Sequence, residues 1–411
     1  MKLLHSLTSY LSGVAQVCTA ELRRVFSNSG VLLIFFVAGL GYPLLFNLIY
    51  QQENLFDVPI AVVDDSQSAE SRRFVHKCDA TPEVQVRYHC NSLQEARRLM
   101  DGHKINGIIY LPSDYGTNIA QLKQARVCLF CDMSSFLYYK SVFMGANFAM
   151  LDEMHHIEFV RYGMTGITGE QAADLVTPVA YDDVKLFVPG GGFASFLIPA
   201  LLVLVIHQTL FFGIGMVGGS AREDGTELSV IPMRYRRSRH DVVVVGRVMA
   251  YMLIYLGLAA VDLFLIPVLF ELPHIGRFSD LVLFFLPFLL ATICFAITCS
   301  CWTKTRESGL VTMVFFSIIL LFLSGFVWPQ CSMPAFWRYF GYLFPSTHAI
   351  QGYVRINSMG AALHEVSFEY LMLWALTAVY FVTACLSVRY TVHRSMKRND
   401  GAQAIIPSNM R

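Results

Sequence analysis

Charge is what this sequence has least of. Asp, Glu, Lys and Arg make up 15% of its 411 residues, and acid and base nearly cancel at a formal net charge of +1. That balance gives no sign of a nucleic-acid or acidic-substrate partner, so the position of each charge matters more than the total. No GxxxxGK[ST] phosphate loop occurs, which excludes a Walker-type site for hydrolysing ATP in this chain. No internal repeat is visible. No cleavable leader is expected either, because Met1 to Asn28 is polar and periodic rather than a basic tip followed by a short apolar core.

Apolar sequence fills the space that charge leaves. At 55% hydrophobic, 13% aromatic and a mean hydropathy of +0.49, the chain is too apolar for an ordinary soluble protein and is expected to be integral to a membrane. Residues 1–30 place Leu4, Leu7, Leu11, Val14, Cys18, Leu22 and Val25 at helical spacing, with Glu21, Arg23 and Arg24 near the end. This predicts a helix lying on the membrane surface, the alternative being an ordinary soluble amphipathic helix. Residues 31–50 read as a first span. Further spans are expected at Phe193–Gly219, Val242–Phe270, Leu281–Trp302, Gly309–Trp328 and Tyr370–Tyr390, followed by a tail over 392–411.

Residues 51–188 have the character of a soluble α/β domain. Strand-like PIAVVDD, EVQVRYH, NGIIYLP and ARVCLFCD alternate with helical SAESRRFVHKC and LQEARRLMDG, and Ser134 to Tyr162 reads as one long helix. Asp64, Asp65 and Asp114 suit turns or a cation site. His155, His156 and Glu158 suit a solvated face better than a metal, since adjacent histidines point about a hundred degrees apart on a helix. Pro189 and Gly190 to Gly192 then mark a flexible re-entry into the membrane.

The stretch AREDGTELSVIPMRY, residues 221–235, with Arg234, Arg236, Arg237 and Arg239, is a charged island between two apolar spans. Its basic residues assign it to the cytoplasmic surface. Asp224 and Gly225 suit a turn, and TELSVIP suits one amphipathic helical turn offering Leu228 and Ile231 to a partner. The run Arg222, Glu223, Gly225, Thr226, Glu227, Leu228 and Pro232 resembles the coupling loop of type-2 ABC exporter permeases. The segment Phe322 to Ile356 is similar to that family's outward re-entrant segment before the last span, here 329–367.

The resemblance implies an α-helical membrane protein with six transmembrane helices and an α/β extracytoplasmic domain between the first and second spans. Residues 189–391 would form the remaining five-helix region, with the coupling loop at 220–241. It implies a permease that moves a substrate outward, with ATP and Mg on separate ABC ATPase subunits and no cofactor or metal of its own. A homodimer, or a heterodimer with a related permease, would form the pathway, with a periplasmic adaptor as a further partner. The setting would be a bacterial inner membrane, both termini cytoplasmic. Glu223 and Glu227 would pair with basic groups on the ATPase. The aliphatic and aromatic spans suit a lipid, glycolipid or hydrophobic drug, although lipid-facing surfaces require the same composition.

Within the spans, His207 and Gln208 suit an interhelical hydrogen bond or a substrate contact, and the glycines at 213, 215, 218 and 219 suit close helix approach. Asp262 is an acid in an apolar run that must face the bundle interior or a hydrated cavity. Gly325, Pro345 and His348 join His207 and Asp262 as pathway or gate candidates. Pro334 and Pro345 read as helix breakers, and Trp328, Trp337, Tyr339, Tyr342 and Phe344 as an interfacial aromatic belt. Most cysteines suit apolar packing. Cys128 and Cys131 point to opposite faces of a strand, and a Cys78–Cys90 bond is open. Two other function classes fit less of the sequence. One is a gradient-driven cation- or proton-coupled transporter using Asp262 and His207; the other is a membrane scaffold recruiting partners through the outer domain.

Overall fold

The computed structural model describes residues 2–179, 184, 186–188 and 190–405. Pro189 and the end of the tail, 406–411, lie outside the described residues, as do the side chains of Leu4 and Leu7. The chain divides into two compact units, Met1–Glu53 with Lys185–Arg411, and Asn54–Val184.

The first unit opens with α1, Lys2–Phe26. After Asn28, whose side chain accepts the Val31 N–H at 3.3 Å, α2 runs over Ser29–Ile49 with a π-helical stretch at Leu33–Ala38. Phe35, Gly39, Pro43 and Asn47 are buried at four-residue spacing on one stripe of α2. Leu33, Val37, Leu44 and Leu48 stay exposed, the division expected of a helix with one side against protein and the other against lipid.

The second unit contains β1 (Val58–Asp64), α3 (Ala69–Asp79), β2 (Val84–Cys90), α4 (Leu93–Asp101), β3 (Gly107–Leu111), α5 (Tyr115–Ala120), β4 (Cys128–Cys131), α6 (Phe136–Met164) and α7 (Glu170–Val176). The sheet order is β2-β1-β3-β4, with β1 parallel to both neighbours and β4 antiparallel to β3. Because side chains alternate along β1, Val58, Ile60 and Val62 enter one core with Phe74 and Cys78, while Ala61 and Val63 enter a second with Cys90 and Ala96. Burial on both faces explains why β1 reads as a continuous apolar run. It also rules out the Cys78–Cys90 bond, since the two thiols belong to separate cores.

Polar chemistry in this unit holds the fold together. Asp64 Oδ1 accepts the N–H groups of Ser66 and Gln67, and its Oδ2 accepts the Ser71 hydroxyl at 2.7 Å. Asp114 accepts from Asn118 at 2.8 Å, and Asp65 from the Tyr110 hydroxyl at 3.0 Å. Asp64 thus makes a turn, while Asp65 and Asp114 are held by a neighbouring tyrosine and asparagine side chain. Arg73 grips the buried Glu153 of α6 through both Nε and Nη2, and that bond holds the guanidinium above its usual pKa. Among the described residues no cluster of His, Cys, Asp and Glu is arranged to hold a metal.

The chain then returns to the first unit through α8 (Phe193–Glu223), α9 (His240–Leu269), α10 (Phe278–Ser300), α11 (Arg306–Leu323), α12 (Ala335–Gly341), α13 (Pro345–Met359) and α14 (Ser367–Ile405). Among the described residues five helices are long and apolar enough to cross a membrane: α2, α8, α9, α10 and the part of α14 from Ser367 to Arg398. The protein is thus α-helical and multi-pass. The expected fifth span stops short of Trp328. Its helix, α11, ends at Leu323, where the Ser324 hydroxyl turns back to the Leu321 carbonyl and Gly325 adopts a left-handed φ of +78°.

Helix α8 lies at the centre, packed by α2, α10, α11 and α13 and buried along nearly its whole length. Close approach is built into it: a Cβ on Gly219 would sit 2.5 Å from the Thr305 carbonyl oxygen. In the expected re-entrant segment the prolines start helices rather than break them, with Pro334 at the N-cap of α12 and Pro345 at the first turn of α13. Trp328, Trp337 and Tyr339 are exposed, whereas Phe344 is buried and belongs to the core.

Candidate functional site

The charged loop begins where α8 ends. Asp224 caps the helix, Gly225 takes φ +66°, and the Thr226 N–H returns to the Ala221 carbonyl at 2.8 Å. From Thr226 to Ile231 the backbone makes successive three-residue turns, Ser229 to Thr226 and Ile231 to Leu228, instead of the expected helical turn. This reverses the expectation for Leu228 and Ile231. Both are buried in the unit's own core together with Val230, because tight turns point these side chains inward. The exposed rim includes Glu223, Asp224, Gly225, Thr226, Ser229 and Met233, followed by the exposed bases Arg234, Arg237 and Arg239.

Arginines pin the loop from several directions. Arg24 of α1 donates through Nη2 to the Thr226 carbonyl at 2.6 Å and to Ser229 Oγ at 3.0 Å. Arg236 reaches back to the carbonyls of Ile231 (3.1 Å) and Leu228 (2.9 Å). Arg222 donates to the Thr303 hydroxyl and carbonyl and pairs with Glu227 at 3.2 Å. Glu227 also accepts from Ser395 of α14, so it is engaged within the chain rather than offered to a partner. Glu223 accepts the Arg306 N–H at 3.1 Å through one oxygen while its side chain stays exposed. Tyr235 donates to the Ser9 carbonyl of α1 at 3.0 Å, and Pro232 precedes its short 3-10 turn.

Behind the loop a buried charge cluster ties α1 to α9. Glu21, 2% exposed, accepts the Tyr251 hydroxyl at 2.7 Å, with Arg247 at 3.7 Å and Arg24 at 3.8 Å. Burial pulls the Arg24 guanidinium below its usual pKa, and Glu21 counteracts that pull. A cavity of ≈ 30 Å³ beside these groups has room for ordered water.

A second set of polar groups lies deeper. His207 on α8 is fully buried, its ring stacked with Phe211 (6.1 Å), Phe288 (6.5 Å) and Phe295 (6.3 Å). Neither ring nitrogen has a hydrogen-bond partner among the described residues, so the interhelical bond expected of it is not made. Asp262 on α9 is 1% exposed with Oδ1 unpartnered, inside a π-helical stretch at Val261–Leu265. The hydroxyls of Tyr255 and Tyr353 are buried and unpartnered as well. Each such group costs about 1–3 kcal/mol relative to a satisfied one.

The profile of the ABC-2 family transporter proteins matches residues 29–386, nearly the whole length over which these two sets are distributed. This chain belongs to that family. Comparison with curated proteins yields no match. As an ABC-2 permease it is the membrane component of an ABC transporter and works with a separate ATP-binding subunit.

In this ABC-2 permease the sequence candidates separate into two groups. Arg222, Glu223, Gly225, Thr226, Glu227, Leu228 and Pro232 share one loop. His207 and Asp262 are buried polar groups of the helical bundle, on α8 and α9. His348 is used locally: its Nε2 lies 3.0 Å from the Tyr342 carbonyl, which steadies the start of α13. Pro345 opens the same helix, and Gly325 marks the end of α11. Sequence reasoning placed Glu21 and Arg24 only as the charged end of α1 and missed Arg247 and Tyr251, because partners on α9, far along the chain, leave no local spacing signal. The permease also has a cavity of ≈ 730 Å³ at the root of the loop, bordered by Arg222, Glu227, Lys304, Arg394 and Arg398.

Proposed function

We propose that this permease is the transmembrane subunit of an exporter and that its ATPase docks on the exposed rim of the 220–241 loop. The observation that carries this reading is mechanical. The loop continues directly from α8, the most enclosed helix of the bundle, and Arg24, Arg222 and Arg236 make it rigid, so a push on the rim is delivered to α8 rather than absorbed. Glu223 and Asp224 supply the accessible negative charge for basic groups of the ATPase, whereas Glu227 and Leu228 support the loop from within.

In this reading α11 is the fifth of six spans, both termini and the loop are cytoplasmic, and the α/β unit is extracytoplasmic. Two copies, or this chain with a related one, enclose the pathway. Movement of α8 against α9 and α13 brings the unpartnered His207, Asp262, Tyr255 and Tyr353 to a substrate with a polar head and an apolar body, a lipid, glycolipid or amphiphilic drug. The α/β unit then hands the cargo to a periplasmic adaptor.

The test is to express the chain with the ATPase encoded beside it and to compare wild type with a Glu223→Ala/Asp224→Ala variant. The expected result is copurification of the ATPase with wild type and loss of the complex, or of substrate-stimulated hydrolysis, in the variant. Unchanged hydrolysis and copurification would place docking elsewhere.

A further inference from the structure

A cavity of ≈ 800 Å³ lies between the segment leading into α9 and the far part of α14. Arg236 and Arg237 face it from one side, Arg389 and Lys397 from the other, and among the described residues no acidic side chain lines it. Arg236 is held by two loop carbonyls, which fixes its position without neutralising its charge. Among the described residues no carboxylate pairs with Arg237, Arg389 or Lys397. The four cations repel one another weakly through water, and an anion bound among them would turn that repulsion into attraction.

What adjoins the cavity narrows the kind of anion. Leu371, Ala375, Val379, Val382, Leu386 and Tyr390 are exposed on α14 at three- to four-residue spacing and form one apolar stripe. Leu386 and Tyr390 also line the cavity, so the stripe runs directly into the basic cluster. From Leu371 to Tyr390 the helix rises about 28 Å, close to the thickness of a bilayer's hydrocarbon core. A free phosphate would use the bases and leave the stripe bare. A phospholipid would use both.

We propose that this cavity binds the headgroup of an anionic phospholipid whose acyl chains lie along the α14 stripe. The lipid is a resident of the permease, distinct from transported cargo, and it ties the end of α14 to the basic segment before α9. Basic pockets between transmembrane helices are suited to such headgroups, each cation near the surface adding a similar increment to affinity.

The full chain in detergent, titrated with cardiolipin, phosphatidylcholine or inorganic phosphate and read by native mass spectrometry, tests this. Wild type is expected to retain cardiolipin in preference to phosphatidylcholine. Arg237→Gln/Arg389→Gln/Lys397→Gln, which leaves the Arg236 bonds to the loop intact, should weaken cardiolipin about a hundredfold. Leu386→Ser should weaken it severalfold while leaving phosphate untouched. Equal retention of the two lipids by wild type, or undiminished cardiolipin on the triple variant, would overturn the proposal. So would a triple variant that keeps its lipid and loses the ATPase, which would make the cavity a protein-docking face.

Discussion

Arg24 and Thr226 are separated by 202 residues, yet the Arg24 guanidinium donates to the Thr226 carbonyl oxygen over 2.6 Å. The first helix and the charged loop are therefore one mechanical piece. The same arginine lies beside Glu21, so the loop is linked through α1 to Tyr251 and Arg247 on α9.

That linkage predicts an order of effects. Arg24→Ala removes two bonds to the loop and should lower stability by about 2 kcal/mol. Glu21→Ala leaves two guanidinium groups without their carboxylate and should cost more, about 3–5 kcal/mol. Thermal unfolding of the purified chain in one detergent would check the ranking, and an Arg24 variant weaker than the Glu21 variant would contradict it.

The unpartnered groups in the bundle should trade stability against transport. His207→Phe replaces a ring with two orphaned nitrogens by one that keeps the stacking on Phe211 and Phe295, and it should raise stability by about 1 kcal/mol. Transport in reconstituted vesicles should fall at least about tenfold, the loss of one polar contact to cargo. Asp262→Leu, which removes the orphaned carboxyl, should follow the same pattern. A variant that gains stability and keeps full transport would remove His207 from the pathway.

Glycine-to-alanine pairs test the packing of α8. Gly219→Ala drives a methyl to within 2.5 Å of the Thr305 carbonyl and should cost about 1–3 kcal/mol by separating α8 from the start of α11. Gly257→Ala on α9 meets nothing within 4 Å and should be neutral or slightly stabilising. Denaturation midpoints measured side by side would show the contrast.

In the α/β unit, burial pushes the Cys78 thiol up to about 12 from 9.0. A group whose folded pKa is raised favours folding fully below its unfolded pKa and loses that contribution as pH rises. Stability should thus be flat up to about pH 9 and decline toward pH 12, by at most about 4 kcal/mol for three pH units. Cys78→Val should flatten that decline in a pH series of unfolding curves. At pH 8 the native thiol should resist alkylation.

Much of the architecture was legible because the spans and strands are periodic and apolar. The strand Val58–Asp64 is offset by one residue from the run PIAVVDD and Gly107–Leu111 lies within NGIIYLP, since a run apolar on both faces has few alternatives. The loop was legible as charge but not as shape. Leu228 and Ile231 have the spacing of an outward face, yet the turn at Gly225 and the carbonyl grip of Arg236 rotate them inward. The partners that fix the loop come from α1 and α14, at separations where local pattern carries no information. The end of α11 was misjudged because Phe326 to Trp328 are as apolar as the helix before them, while the stop is made by Ser324 and Gly325.

The π-helical stretch Val261–Leu265 has a further meaning for α9. It holds one residue more than α-helical winding would, and each residue turns a helix by about 100°. Everything beyond it, Pro267 included, faces a direction that the heptads before Ala260 do not foretell. The surplus residue is a reserve of rotation: taken up into α-helix, it would swing the far end of the span about its axis without breaking it. A single-residue deletion within 261–265 would accordingly remove that reserve, leaving α9 a plain α-helix whose far end keeps its present face.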